Sequence, residues 1–140
     1  MIEKTLDLRE QGKLVGKEDT FTANIYVGCL DNEKGFERPV AEIKAFCQDF
    51  VEQEGLCVNV QETFYQYGGG GKSGNERGAV AELIHYPRFP RENPRKSITE
   101  QALRLAEKLM HRMRQKRVSV VCTDKTYTLQ NPSHPEVETE

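Results

Sequence analysis

The segment from Phe21 to Leu30 alternates apolar and polar residues, and this period of two limits the possible folds more than any other feature of the chain. A strand with one buried face has this pattern. Apolar residues spaced three and four apart then predict two amphipathic helices, over residues 40–51 and 102–113. Runs of Val, Thr and aromatic residues predict three more strands, over residues 56–67, 79–86 and 118–123, the last continued by 126–129.

This order of elements predicts an α+β fold, namely a ferredoxin-like βαββαβ sandwich with an antiparallel four-stranded sheet and two helices on one face. The domain covers residues 21–130, with an N-terminal arm or edge strand over 1–20 and a disordered tail over 131–140. Gly55 is expected to end the first helix. Ser97 and Glu100 are expected to form a capping box at the start of the second helix. Residues 68–78 are expected to form a flexible connection between the second and third strands.

Several classes of protein are disfavoured by the composition. No apolar run approaches the ~20 residues that cross a bilayer, so the sequence predicts a cytoplasmic protein without membrane contact. The three histidines and four cysteines show no metal-type spacing, and we expect no metal, no cofactor and no set of catalytic residues. The cysteines lie in apolar runs, which favours buried, reduced thiols at Cys29, Cys47, Cys57 and Cys122.

Charge is unevenly distributed along the chain. The net charge is −2, yet residues 85–117 contain ten Lys and Arg against three Asp and Glu. Such asymmetry favours an anion-binding face, although a solvated helix is the alternative interpretation. Four successive glycines at 68–71 expose backbone amides but lack the Walker spacing, and the Pro-rich segment 86–96 offers arginines as forked donors. The predicted ligand-binding residues are Lys72, Arg77, Arg88, Arg91, Arg95 and Tyr26.

One short stretch, Ile25–Leu30, resembles the first-strand motif of the RNA-recognition-motif family. The resemblance implies that Tyr26 stacks on a base. Residues 77–82 occupy the place of the family's second motif, but Ala79 and Ala81 stand where the family has aromatic residues. The resemblance therefore covers the topology and one motif, and it implies nucleic-acid binding on the open face of the sheet.

Three functions follow from these features. The first is a non-enzymatic binding domain for a small anionic or nucleotide-like ligand, acting as a homo-oligomer through the open sheet face. The second is a nucleic-acid-binding module that uses Tyr26 and the basic segment. The third is a small enzyme that acts on an acidic metabolite, with Glu82 or His85 as acid or base. The open face is expected to carry Tyr26, Gln61, Thr63, Tyr65 and Val121.

Overall fold

The computed structural model describes residues 12, 17, 19–85 and 92–133 of the 140-residue chain. Two helices lie in these ranges, α1 (Val40–Glu54) and α2 (Pro94–Arg112). The predicted N-terminal arm and C-terminal tail lie mostly outside the described residues. The strands are β1 (Thr22–Gly28), β2 (Val58–Gly69), β3 (Lys72–Ile84), β4 (Arg117–Cys122) and β5 (Thr126–Gln130).

These strands form one antiparallel sheet in the order β2-β3-β1-β4-β5. The predicted four-stranded, ferredoxin-like βαββαβ sandwich is therefore wrong. After β4 the chain reverses in a tight turn, closed by the Cys122 amide donating to the Lys125 carbonyl at 2.8 Å. The next segment then pairs back along β4, from Thr126 opposite Val121 onward. A continued strand and a new strand share the same alternation, so the sequence pattern alone does not separate them.

The hydrophobic core lies between the helices and one face of the sheet. Ala23, Ile25 and Val27 of β1 are fully buried in it. Ile43 of α1 and Leu105 of α2 belong to the same cluster and are also fully buried. The periodicities predicted for β1 and for both helices thus identify side chains that do pack together.

The end of α1 lies where the sequence predicts it, whereas the start of α2 does not. Gly55 ends α1 with a left-handed φ of 68°, which confirms the predicted stop. α2 begins earlier than expected, because Pro94 occupies its first position and the Asn93 side chain accepts from the Lys96 amide at 3.3 Å. The predicted capping box is therefore wrong, and Ser97 lies inside the helix.

The connection between β2 and β3 is far shorter than predicted. Gly70 and Gly71 form a two-residue turn with φ values of 58° and 80°, a conformation that glycine adopts without strain. The strands continue on both sides of it, so the predicted flexible segment 68–78 is mostly strand. Residues 65–69 and 72–76 pair with each other beyond the last pair that β3 makes with β1. We call this two-stranded extension the ribbon.

Neither of the two helices in the described ranges lies on the other face of the sheet. The register places Tyr26 of β1 opposite Val80, which in turn lies opposite Gln61 of β2. The same alternation brings Thr63, Tyr65 and Val121 to this face, as predicted. We call it the open face. Among the described residues, no helix combines the length and the apolar character needed to cross a membrane.

All four cysteines are free thiols. Three of them are buried, as predicted, whereas Cys57 is exposed and contradicts that prediction. Within the described ranges, no group of three or more His, Cys, Asp or Glu side chains is placed to hold a metal ion.

Candidate functional site

Two glycines form the floor of a small site on the open face. Gly28 of β1 and Gly78 of β3 lie directly opposite each other in the sheet. A Cβ on Gly78 would lie 2.4 Å from a ring carbon of Tyr65 and 2.4 Å from the Val27 carbonyl oxygen. A Cβ on Gly28 would lie 2.0 Å from a carboxylate oxygen of Glu76. The missing side chains therefore leave the space that Tyr65 and Glu76 occupy, which is the close-approach role of glycine within a strand.

Glu76 provides the negative charge of the site. Its half-buried side chain extends from the base of the ribbon across Gly28. The carboxylate Oε2 accepts a hydrogen bond from the Leu30 amide at 3.2 Å. The amide oxygen of Gln115 approaches the same point above Gly28, at 2.8 Å from where a Cβ would lie. Two oxygen acceptors thus converge on one place, and such an arrangement suits a ligand that carries a positive charge or several donors.

Two tyrosines border this carboxylate. The rings of Tyr26 and Tyr65 are 6.4 Å apart between centroids and inclined by 60°. The Tyr65 hydroxyl donates to the Ala79 carbonyl at 2.9 Å. Burial raises the pKa of the Tyr65 phenol well above its ordinary value, so this group stays protonated and is not a base at neutral pH. A carboxylate beside aromatic faces is an environment that favours organic cations.

The segment after β1 is held by a buried carboxylate. Asp31 is fully buried, and its side chain accepts from the amides of Glu33 and Lys34 at 2.9 and 2.8 Å. Arg38 donates to it through two nitrogens, each at 2.8 Å. Burial would raise the pKa of Asp31, but the backbone and Arg38 hydrogen bonds outweigh burial and lower it. This network makes the turn after Leu30 rigid, and Leu30 in turn holds Glu76.

The predicted ligand-binding residues are widely separated. Tyr26 lies in the site, with 38% of its surface exposed. Lys72 begins β3 at the tip of the ribbon, and Arg95 lies at the opposite end of the sheet, where it pairs with Asp124 at 2.6 Å. Because β3 has 13 residues at ~3.3 Å each, those two ends are about 40 Å apart. The structure does not bring Lys72 and Arg95 together.

The other members of that set have different surroundings. The Arg77 amide donates to the Glu37 carboxylate at 3.3 Å, and its side chain is exposed. Arg88 and Arg91 lie outside the described residues. The ligand-binding role of the full set stays a prediction.

The basic segment found in the sequence contributes to a second cleft, of about 600 Å³, between α1 and the end of α2. Several of its charges are already neutralised within the chain. Arg112 lies 3.9 Å from Glu42, and Arg114 pairs with Glu33. Part of the charge asymmetry therefore supports contacts between α1, α2 and the turn after β1. The lining residues are Arg38, Glu42, Phe46, Lys108, His111, Arg112 and Arg114.

Sequence reasoning missed Glu76 and gave Tyr65 no role beyond the open face. Glu76 falls in the segment that was expected to be a flexible loop. The available indication was the pair Gly28 and Gly78, because glycine within a strand pattern often marks a close approach of another group. Which side chain fills the space depends on strand register, and the sequence did not define the register beyond residue 67.

No family model matches the chain, and no curated protein matches it. Two solved structures share its fold. One is a phage SAM lyase in the apo state, with a TM-score of 0.68 and 15% sequence identity over 86% of this chain and 98% of that one. The other is a phage SAM lyase in complex with S-methyl-5′-thioadenosine, with a TM-score of 0.62 and 15% identity over 85% and 97%. The prediction of a non-enzymatic binding domain is contradicted by this finding, because the structures that share the fold are enzymes.

Proposed function

We propose that this protein is a lyase that cleaves S-adenosylmethionine (SAM) and releases S-methyl-5′-thioadenosine. The fold supports the proposal, since the two similar structures are SAM lyases matched over nearly their full length. The observation that carries it is the position of Glu76 beside Tyr26 and Tyr65 on the open face. Fold alone does not determine function, so the site must account for the substrate.

The chemistry of the site matches the charge of SAM. The substrate carries a sulfonium and an ammonium group against one carboxylate, so its net charge is positive. A sulfonium interacts favourably with aromatic faces, and a carboxylate accepts hydrogen bonds from an ammonium. Tyr26 and Tyr65 supply the first environment, and Glu76 supplies the second.

The reaction breaks the bond between the sulfonium sulfur and Cγ of the amino-acid chain. The electron pair of that bond goes to sulfur, which leaves as the neutral thioether S-methyl-5′-thioadenosine. A carboxylate oxygen of the substrate itself bonds to Cγ in the same step and closes a five-membered lactone. Atoms and charge balance without water, a proton acceptor or an oxidant. This route suits a site in which the Tyr65 phenol stays protonated.

In this reaction the residues of the chain bind and orient the substrate. Glu76 holds the cationic end, and the tyrosine rings hold the sulfonium region. Folding the substrate so that its carboxylate faces Cγ is an effect of proximity and orientation, which contributes large rate factors in intramolecular reactions.

The experiment is incubation of the purified protein with SAM, with both products followed by mass spectrometry. We expect S-methyl-5′-thioadenosine and homoserine lactone in equal amounts, and about 100-fold less product from Glu76→Gln. Glu62→Gln is the matched control, because that carboxylate is exposed and contacts Lys44 at 3.3 Å. Absence of S-methyl-5′-thioadenosine with the wild-type protein would refute the function. A vinyl amino acid in place of the lactone would refute the proposed bond-making step.

We also propose that a second copy of the chain covers the open face. Tyr26 and Tyr67 are 38% and 59% exposed there. Exposed aromatic residues of this size are common at interfaces between subunits. Light scattering coupled to gel filtration measures the mass directly. A monomer at micromolar concentration would contradict this proposal and leave the proposed reaction standing.

A further inference from the structure

We propose that Gln115 is a positioning residue that sets the place of the Glu76 carboxylate, an inference that rests on the proposed function. Gln115 lies in the turn between α2 and β4 and is 6% exposed. Its side-chain nitrogen donates to the Leu30 carbonyl at 2.6 Å and to the Met113 carbonyl at 3.2 Å. With both donors used, the plane of the carboxamide is fixed. A buried glutamine held in this way is part of the framework of the site.

The connection from Gln115 to Glu76 passes through a single residue. The Leu30 carbonyl accepts from Gln115, and the Leu30 amide donates to Glu76. Leu30 lies outside the regular strands and makes one isolated bridge, to Glu37. Its backbone lies between two held groups, since the Cys29 carbonyl accepts from the Arg38 amide at 2.7 Å and the Asp31 amide donates to the Phe36 carbonyl at 2.8 Å. The Leu30 carbonyl and the Leu30 amide belong to neighbouring peptide groups, so loss of the Gln115 donor acts on the Glu76 carboxylate through a small rotation of the Leu30 backbone between them.

A second contact relates the same two side chains. The Gln115 amide oxygen and the Glu76 carboxylate oxygen approach one point above Gly28. Both atoms are acceptors and cannot bond to each other, so each is available to a donor on a bound cation. Because the Gln115 nitrogen is occupied on the far side, this oxygen faces the site. Gln115 thus shapes the volume in which Glu76 meets the substrate.

A double-mutant cycle on SAM cleavage separates positioning from general stability. We expect Gln115→Met to lower kcat/KM about tenfold in the wild-type background and less than twofold in the Glu76→Gln background, because the carboxylate that it positions is then absent. A merely structural role would give the same factor in both backgrounds and would overturn the inference. The matched control is Gln101→Met, a buried glutamine in the first half of α2, expected to leave kcat/KM unchanged below its melting temperature.

A second measurement does not depend on activity. In the wild-type protein and in Gln115→Met, the Leu30 amide and the Glu76 side-chain carboxyl resonances report the connection directly. We expect Gln115→Met to shift both, and unchanged resonances would overturn the inference. If Gln115→Met does not fold, Gln115→Asn, which keeps the amide but shortens its reach, takes its place. A wild-type protein that leaves SAM intact would refute the proposed function, whereas the resonances would still decide whether Gln115 positions Glu76.

Discussion

Replacing Gly28 with alanine moves the Glu76 carboxylate without removing its charge. The new Cβ would lie 2.0 Å from Oε2 and 2.7 Å from Cδ of Glu76, and 2.8 Å from the Gln115 amide oxygen. Ordinary contact begins at 3.4 Å, so the carboxylate must retreat by roughly 1.4 Å. The backbone at position 28 accepts alanine, because its φ is not in the left-handed region. The Gln115 amide oxygen must also retreat, by roughly 0.6 Å, so the substitution acts mainly through the side chain of Glu76 and to a smaller extent through that of Gln115.

The expected size of the effect follows from this displacement. Misplacing a substrate-binding group by ~1 Å costs on the order of 100-fold in rate, equivalent to about 2.7 kcal/mol in the activation barrier. Stability changes little. Loss of the bond from the Leu30 amide costs about 1 kcal/mol. The lower entropy of the unfolded alanine chain offsets roughly 0.4–1 kcal/mol of that cost.

The assay compares initial rates of S-methyl-5′-thioadenosine release with melting temperatures for wild type, Gly28→Ala and Gly55→Ala. Gly55→Ala is the control that should lose stability and keep activity. The φ of 68° at the end of α1 penalises alanine by about 1–2 kcal/mol. An added Cβ there would have no atom within 4 Å. Gly55→Ala is expected to melt earlier and retain activity. Full activity in Gly28→Ala would refute the importance of the Glu76 position. Unfolding of Gly28→Ala would refute the steric argument.

Three other predictions concern stability. Asp31→Asn should cost about 3 kcal/mol in urea unfolding at pH 7, because it removes the buried charge that its arginine partner requires. The pKa of Asp31 is lower in the folded chain than in the unfolded chain. Its contribution to the free energy of unfolding is therefore complete above about pH 4 and is lost as the pH falls through the folded pKa. The wild type should lose this contribution in acid, and Asp31→Asn should not. Tyr65→Phe should cost about 1 kcal/mol by removing the bond to the Ala79 carbonyl, measured by the same unfolding curves. Gly71→Ala should cost about 1 kcal/mol at the φ of 80° in the turn, and an unchanged midpoint would contradict the turn geometry.

Periodicity made much of the fold predictable. The alternation in β1 identified Ile25 and Val27 as buried, and the helical spacing identified Ile43 and Leu105. The number of strands was not predictable in the same way. A short turn after Cys122 converts a continued strand into a fifth one, and such a turn leaves the alternation on either side unchanged.

The site was less predictable, because it depends on atoms that register brings together. Tyr26 was identified from its place on the open face, but Glu76 was assigned to a loop because four glycines precede it closely. Two of those glycines form a tight turn, and the pairing then continues through Glu76. The arginines of the basic segment drew attention through their charge, yet Arg95 and Arg114 form ion pairs inside the chain. The sequence shows where the charged residues are, but only the fold shows which of them form ion pairs within the chain.

The stability of the ribbon depends on the same side chains that form the candidate site. A two-stranded segment with no third strand beside it is only marginally stable in water. Tyr65 and Glu76, the pair at its base, both lean back onto the larger part of the sheet, over Gly78 and Gly28. The groups proposed to contact the substrate are thus also the groups that hold the ribbon against the rest of the sheet. A ligand that draws the Glu76 carboxylate toward itself weakens its hydrogen bond to the Leu30 amide. Ligand binding is therefore expected to change the hydrogen-exchange protection of the backbone amides in the ribbon.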